Sequence, residues 1–99
     1  MPLFIIHAVD KADALELRMA KRPAHLEWGA SHADRIAMAG PMFADDGETF
    51  AGSVFIAAFD SLEAARAWHA QDPYVKAGLF ERSDIRPCKW VIGEGKPPA

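Results

Sequence analysis

The sequence predicts an α+β fold with one antiparallel sheet and helices on one of its faces. Three observations carry this reading. Apolar runs recur at four places, Leu3–Val9, Arg35–Phe43, Ser53–Phe59 and Ile85–Ile92. Stretches of helix-forming composition separate the first run from the second and the third from the fourth. The second and third runs are joined by the polar loop Asp45-Asp46-Gly47-Glu48-Thr49, which has turn chemistry and no helical pattern.

Each element has its own justification. Leu3–Val9 places Phe4, Ile6 and Ala8 on one side and Leu3, Ile5, His7 and Val9 on the other. Both sides are largely apolar, so both need cover. Asp13–Lys21 is helix-forming, with Asp10 or Asp13 available as its cap. Pro23 predicts a break and a second helix from Pro23 to about Ala33, because proline suits a first helical turn and not an interior. Arg35–Phe43 reads as a strand ending at the Gly40-Pro41 punctuation, and Ser53–Phe59 as the third strand. Asp60, with Glu63 three residues later, has capping-box spacing for the Ala-rich helix that follows. Asp72-Pro73-Tyr74 ends that helix, and Val75–Phe80 is irregular or one further turn. Ile85–Ile92 contains Pro87, so it belongs at an edge or a bulge.

The order strand, helix, strand, strand, helix, strand is the ferredoxin-like βαββαβ pattern. It leaves one sheet face bare within the chain, with Phe55 and Trp90 expected on it. An exposed apolar face of that kind calls for a partner, and a homodimer with facing sheets is the simplest.

Composition bounds the function. At 99 residues the chain has room for one domain (1–99), with 93–99 read as a loose tail. A formal net charge of -3 without a long basic run argues against nucleic acid or an anionic membrane surface as partner. No apolar run has membrane-helix length, and the opening Met1–His7 lacks the pattern of a signal segment, so a cytoplasmic protein is expected. The single cysteine, Cys88, excludes an intrachain disulfide and any site of several thiolates. His25 and His32 are too far apart along a helix to be ligands on adjacent turns, so no metal site is expected.

The side chains that can carry chemistry are few. His25 follows Pro23, so it is expected in a first helical turn, where the positive dipole end favours neutral imidazole, the form a general base needs. A half-exposed histidine at a helix start fits the same position. Asp72 before Pro73 reads as a cap or as a functional carboxylate. Arg18, Lys21 and Arg22 read as an anion-binding cluster or as one solvated helix face.

Arg22-Pro23-Ala24-His25-Leu26, Ala39-Gly40-Pro41, Gly52-Ser53 and Asp72-Pro73-Tyr74 together resemble the YciI-like (YCII-related) family. So do Asp10-Lys11-Ala12-Asp13 after the first strand and Ser61-Leu62-Glu63-Ala64-Ala65. The resemblance runs from about Leu3 to Ile92. It implies a ferredoxin-like fold in the dimeric α/β-barrel superfamily and a His–Asp active-site pair at His25 and Asp72. Arg22 and Ser53 are then candidates for orienting substrate. The short acidic loop Ala44–Ala51 is expected to shape the pocket mouth.

Two readings follow. The first is a small cofactor-independent enzyme, of lyase, isomerase or dehalogenase type, moving protons on a small cyclic or phenolic substrate through His25 and Asp72. The second is a non-catalytic ligand-binding or interaction module on the same fold. Whether His25 and Asp72 meet in a pocket separates them.

Overall fold

The computed structural model describes residues 1–94. Its elements are β1 (Leu3–Asp10), α1 (Leu15–Ala30), β2 (Ile36–Phe43), β3 (Phe50–Ala58), α2 (Leu62–His69), the single turn α3 (Pro73–Lys76) and β4 (Phe80–Cys88). The strands form one antiparallel sheet in the order β2-β3-β1-β4, the ferredoxin-like arrangement. Most of the tail assigned to 93–99 lies outside the described residues. No helix among them is long and apolar enough to cross a membrane.

The alternation in β1 separates the two faces as expected. Phe4, Ile6 and Ala8 are buried beneath the helices, whereas Leu3, Ile5, His7 and Val9 lie half-buried on the other side. Register extends the pattern. Ile6 stands opposite Phe55 of β3 and Ile85 of β4, and these side chains join Phe4, Ala57, Phe59, Ala65 and Trp68 in the core. Phe55 therefore lies inside, 2% exposed, and the expectation that it occupies the open face is corrected. On that open face Ile5 stands opposite Ile56, and Ile56 opposite Met38. With Leu3 and the segment Cys88–Ile92, these residues line a hollow of about 430 Å³, and Trp90 borders it at 36% exposure.

Three local expectations are also corrected. The helix does not break at Pro23. α1 runs through it, because Pro23 and Met19 lie on the exposed side, where water can take the Met19 carbonyl that lacks an amide partner. Neither Asp10 nor Asp13 caps α1, whose N-cap is Ala14 without a side-chain bond. The N-cap of α2 is Ser61, not Asp60, and its side chain accepts from the Ala64 amide, so Glu63 falls outside capping-box register.

The strand boundaries shift as well. β3 begins at Phe50, and β4 occupies Phe80–Cys88, ending before Trp90. Pro87 does sit on an edge strand, where a missing amide is tolerated. Gly52 allows β3 to approach β1 closely. A Cβ there would lie 2.2 Å from the Ala8 carbonyl oxygen.

Candidate active site

α1 crosses the sheet with Arg18, Arg22, His25 and Gly29 on one stripe, at helical spacings of four, three and four. The stripe borders a cavity of about 420 Å³ between α1 and the β2–β3 half of the sheet. β2 contributes Ala37, Ala39 and Pro41, β3 contributes Ser53 and Phe55, and α3 contributes Tyr74. Small residues on β2 leave this space unfilled.

The cavity holds two linked polar groups. In the first, His25 Nδ1 lies 2.8 Å from Asp72 Oδ1, joining residues 47 positions apart. A carboxylate oxygen only accepts, so Nδ1 carries the hydrogen and Nε2 is left as the basic nitrogen. Asp72 is fully buried and held from two sides. It is the N-cap of α3, accepting the Tyr74 amide at 2.9 Å on the same Oδ1. The cap and the contact with His25 thus use one atom. Its Oδ2 is enclosed with no partner among the described residues, so His25 is the one side chain there that hydrogen-bonds this carboxylate. The imidazole stacks on Tyr74, with centroids 4.0 Å apart and planes 14° from parallel. His25 sits well inside α1, not in a first turn, so the expected influence of a helix N-terminus on it is withdrawn.

In the second group, Arg18 is 3% exposed, and its Nε and Nη2 donate to Asp10 Oδ2 and Oδ1 at 2.8 and 2.9 Å. Nη2 also donates to Ser53 Oγ at 2.9 Å. The guanidinium carbon lies 4.7 Å from the Tyr74 ring centroid. Tyr74 therefore touches both groups. Burial raises the pKa of its phenol, against the lowering influence of Arg18 and Arg22, so it stays un-ionised at neutral pH.

Behind the pair, His69 is 5% exposed, and its Nε2 lies 2.9 Å from Ser83 Oγ. Burial lowers its pKa, the Asp72 carboxylate opposes that, and His25 adds to it. His69 is therefore neutral at pH 7.

The structure brings His25 and Asp72 into direct contact and places Arg22 and Ser53 on the same cavity. Arg22 is exposed at its mouth, whereas Ser53 is buried with its hydroxyl engaged by Arg18. Of Ala44–Ala51, only Phe50 lines the cavity, so the acidic loop does not shape its mouth. The loop is closed on itself, because Asp46 accepts from the Glu48 and Thr49 amides and the Thr49 hydroxyl. Those bonds hold the Asp46 carboxyl down at about 2.

Sequence reasoning left Arg18 undecided between an anion site and a solvated face, and offered Asp10 only as one of two possible caps. The available signal was the spacing of Arg18, Arg22 and His25, which puts three basic residues on one helix face.

The YCII-related domain family matches residues 2–89. The chain belongs to this family. Protein YciI of Escherichia coli O6:H1 (strain CFT073) is 48% identical over 97 residues, covering 91% of this chain and 99% of that protein. An uncharacterized protein of Haemophilus influenzae (strain KW20/Rd) is 40% identical over 96 residues, covering 90% and 98%. Among solved structures, the 5-chloro-2-hydroxyhydroquinone dehydrochlorinase TftG of Burkholderia phenoliruptrix AC1100, in complex with 2,5-dihydroxybenzoquinone, is similar with a TM-score of 0.80 and 26% identity. The match covers 96% of this chain and 99% of that one. Protein Atu4242 of Agrobacterium tumefaciens shares the fold at a TM-score of 0.53 and 21% identity, covering 90% and 92%. The YCII-related match includes every side chain of the cavity, since both Arg18 and Tyr74 fall within residues 2–89.

Proposed function

We propose that this YCII-family chain is a small cofactor-independent acid–base enzyme that moves a proton on a small cyclic or phenolic substrate. One observation carries the reading: a buried carboxylate, Asp72, orients the imidazole of His25 at the wall of a cavity large enough for a single ring. His25 Nε2 takes a proton from a ring hydroxyl or ring carbon. The Asp72 carboxylate stabilises the imidazolium that forms, and the same nitrogen returns the proton to another atom or to water. Lyase, isomerase and dehalogenase reactions share that step. The similarity to a dehydrochlorinase that binds a dihydroxyquinone supports the substrate class.

In this reading the working unit is a cytoplasmic homodimer of one domain per chain, and the open sheet face meets that of a second copy. The apolar residues Leu3, Ile5, Met38 and Ile56 support that contact.

The test is hydrogen–deuterium exchange at the ring carbons of hydroquinols and hydroxyquinones in D2O, followed by NMR, together with chloride release from chlorinated hydroquinols. The wild-type protein is expected to accelerate one of these reactions. His25→Asn and Asp72→Asn, with folds intact by circular dichroism, should lower the rate by about 10²–10⁴-fold. An unchanged rate in His25→Asn refutes the assignment. Ligand binding without turnover by the wild type supports the binding-module reading instead.

A further inference from the structure

The cavity is larger than a single ring needs. About 150 Å³ is enough to hold benzene, and this cavity measures about 420 Å³. Its two ends also differ in chemistry. The charged and imidazole side chains that line it are Arg18, Arg22 and His25, whereas no lining residue from Leu26 to Pro41 has a polar side chain. Register tells the ends apart. Pro41 of β2 stands opposite Ser53, which Arg18 holds, and Ile36 stands opposite Ala57. α1 runs the same way as β3, with Arg18 at Ser53 and the His25 ring 6.1 Å from that of Phe55. Gly29, one turn or about 6 Å beyond His25, therefore lies toward the apolar end with Ile36 and Ala37.

Gly29 keeps that end open. A glycine within a helix is commonly explained by its backbone conformation or by the close approach of a neighbour. Neither applies here. Its backbone is ordinary right-handed helix, unlike Gly47, Gly78 and Gly93, whose φ is positive. It is half-buried, yet a Cβ built on it would meet no surrounding atom within 4 Å, whereas one on Gly52 would strike the Ala8 carbonyl oxygen. Alanine would suit the helix better, so what the glycine preserves is room in the cavity. We propose that Gly29 is a specificity-determining residue, which admits a short hydrocarbon substituent carried by the ring that faces His25. A hydrocarbon fits because a polar group buried at that end would find no side-chain partner.

The proposal rests on the acid–base reading for the ring at His25 and adds the class of substrate, but it is tested by binding. Calorimetry on the full chain compares 2,5-dihydroxybenzoquinone with its 3-propyl and 3-(2-hydroxyethyl) derivatives. Each protein is read by the ratio of its affinities for the substituted and the parent ring. The wild type is expected to bind the propyl compound about tenfold or more tighter than the parent, since each buried methylene contributes up to roughly fourfold. The hydroxyethyl compound, of similar size, should show little of that gain. Equal affinity for propyl and parent, an equal gain for hydroxyethyl, or no binding of any of the three at millimolar concentration overturns the proposal.

Gly29→Leu should bring the propyl ratio near unity, whatever its affinity for the parent ring, and Gly29→Ala should give an intermediate ratio. A folded Gly29→Leu that keeps the full ratio places the chain elsewhere, such as the hollow on the open sheet face, and overturns the proposal. Gly29→Ala should also melt a few degrees above the wild type, because the helix gains and nothing is struck. Melting below the wild type would mean that the fold needs the glycine, which overturns the proposal as well. If Gly29→Leu loses the propyl preference while no turnover depends on His25, the hydrocarbon specificity stands and the acid–base reading falls. If turnover depends on His25 but the preference survives in Gly29→Leu, the reverse holds.

Discussion

The two faces of the sheet are built from the same strands but carry different chemistry. The covered face holds the aromatic core and, beside it, a cavity lined by buried charge, with Arg18, Asp10, Ser53, His25 and Asp72 joined by short hydrogen bonds. The open face holds Leu3, Ile5, Ile56 and Met38 around a hollow that Lys89 also borders, with Arg82, Asp84 and Arg86 along the edge strand β4. The helices do not fill the covered face uniformly. Where α2 lies, Ala65 and Trp68 close it. Where α1 faces β2, the small residues Ala37, Ala39 and Gly29 leave space, and Arg18 and His25 in its wall are each held by a side chain from another element. Rigidity at the site thus comes from long-range hydrogen bonds, whereas rigidity of the core comes from packing.

The sharpest way to break the covered face is Phe55→Ala. Phe55 packs edge-on to Trp28, Trp68 and His25, so it belongs to the core and to the cavity wall together. Truncation is expected to cost about 3–5 kcal/mol. For a chain of this size that is a fall in Tm of roughly 12 °C or more by calorimetry. A fall of only a few degrees would show that the cavity side of the core is loosely packed.

The open face should respond in the opposite way. Ile56→Asp places a charge at its centre, where the chain alone provides little cover. The fold itself is expected to lose about 1 kcal/mol, while sedimentation at micromolar concentration shifts from dimer to monomer. A wild-type protein that already sediments as a monomer breaks the proposed contact between sheets.

The same contrast explains what was legible in the sequence. Alternation in β1 assigned its two faces correctly, because burial of one side follows directly from the two-residue period. Phe55 was placed on the wrong face, because Ser53–Phe59 is apolar at nearly every position and gives no alternation to read. The β1–β3 register, which sets Phe55 opposite Ile6, is a long-range fact. Pro23 misled for a related reason. A proline rule is local, whereas α1 continues because its docking leaves Pro23 and Met19 on the exposed side. His25 and Asp72 were singled out from a family resemblance, and their contact depends on α3, a single turn that local sequence leaves ambiguous. Arg18 needed Asp10 and Ser53 to be recognised as buried, and these come from two different strands, β1 and β3.

The smallest predicted effect concerns His69, which lies where the core meets the polar group. Burial lowers its folded-state pKa below 6.5, the Asp72 carboxylate partly offsets this, and His25 reinforces it. The sign follows from proton counting. As pH falls through 6.5, the unfolded chain binds a proton at His69 before the folded chain does, so the unfolded state gains stability. The contribution is fully present above pH 6.5, declines as pH falls below it, and stops changing once the folded histidine is also protonated. Its slope cannot exceed about 1.4 kcal/mol per pH unit, the limit for one proton. His69→Gln keeps a polar group facing Ser83 but cannot titrate. Urea unfolding of both proteins at several pH values between 7.5 and 5 should therefore give a shallower acid loss for His69→Gln, whatever its stability at pH 7.5. Parallel curves would mean that His69 titrates alike in both states, and that the polar group around Asp72 reaches no further into the core than His25.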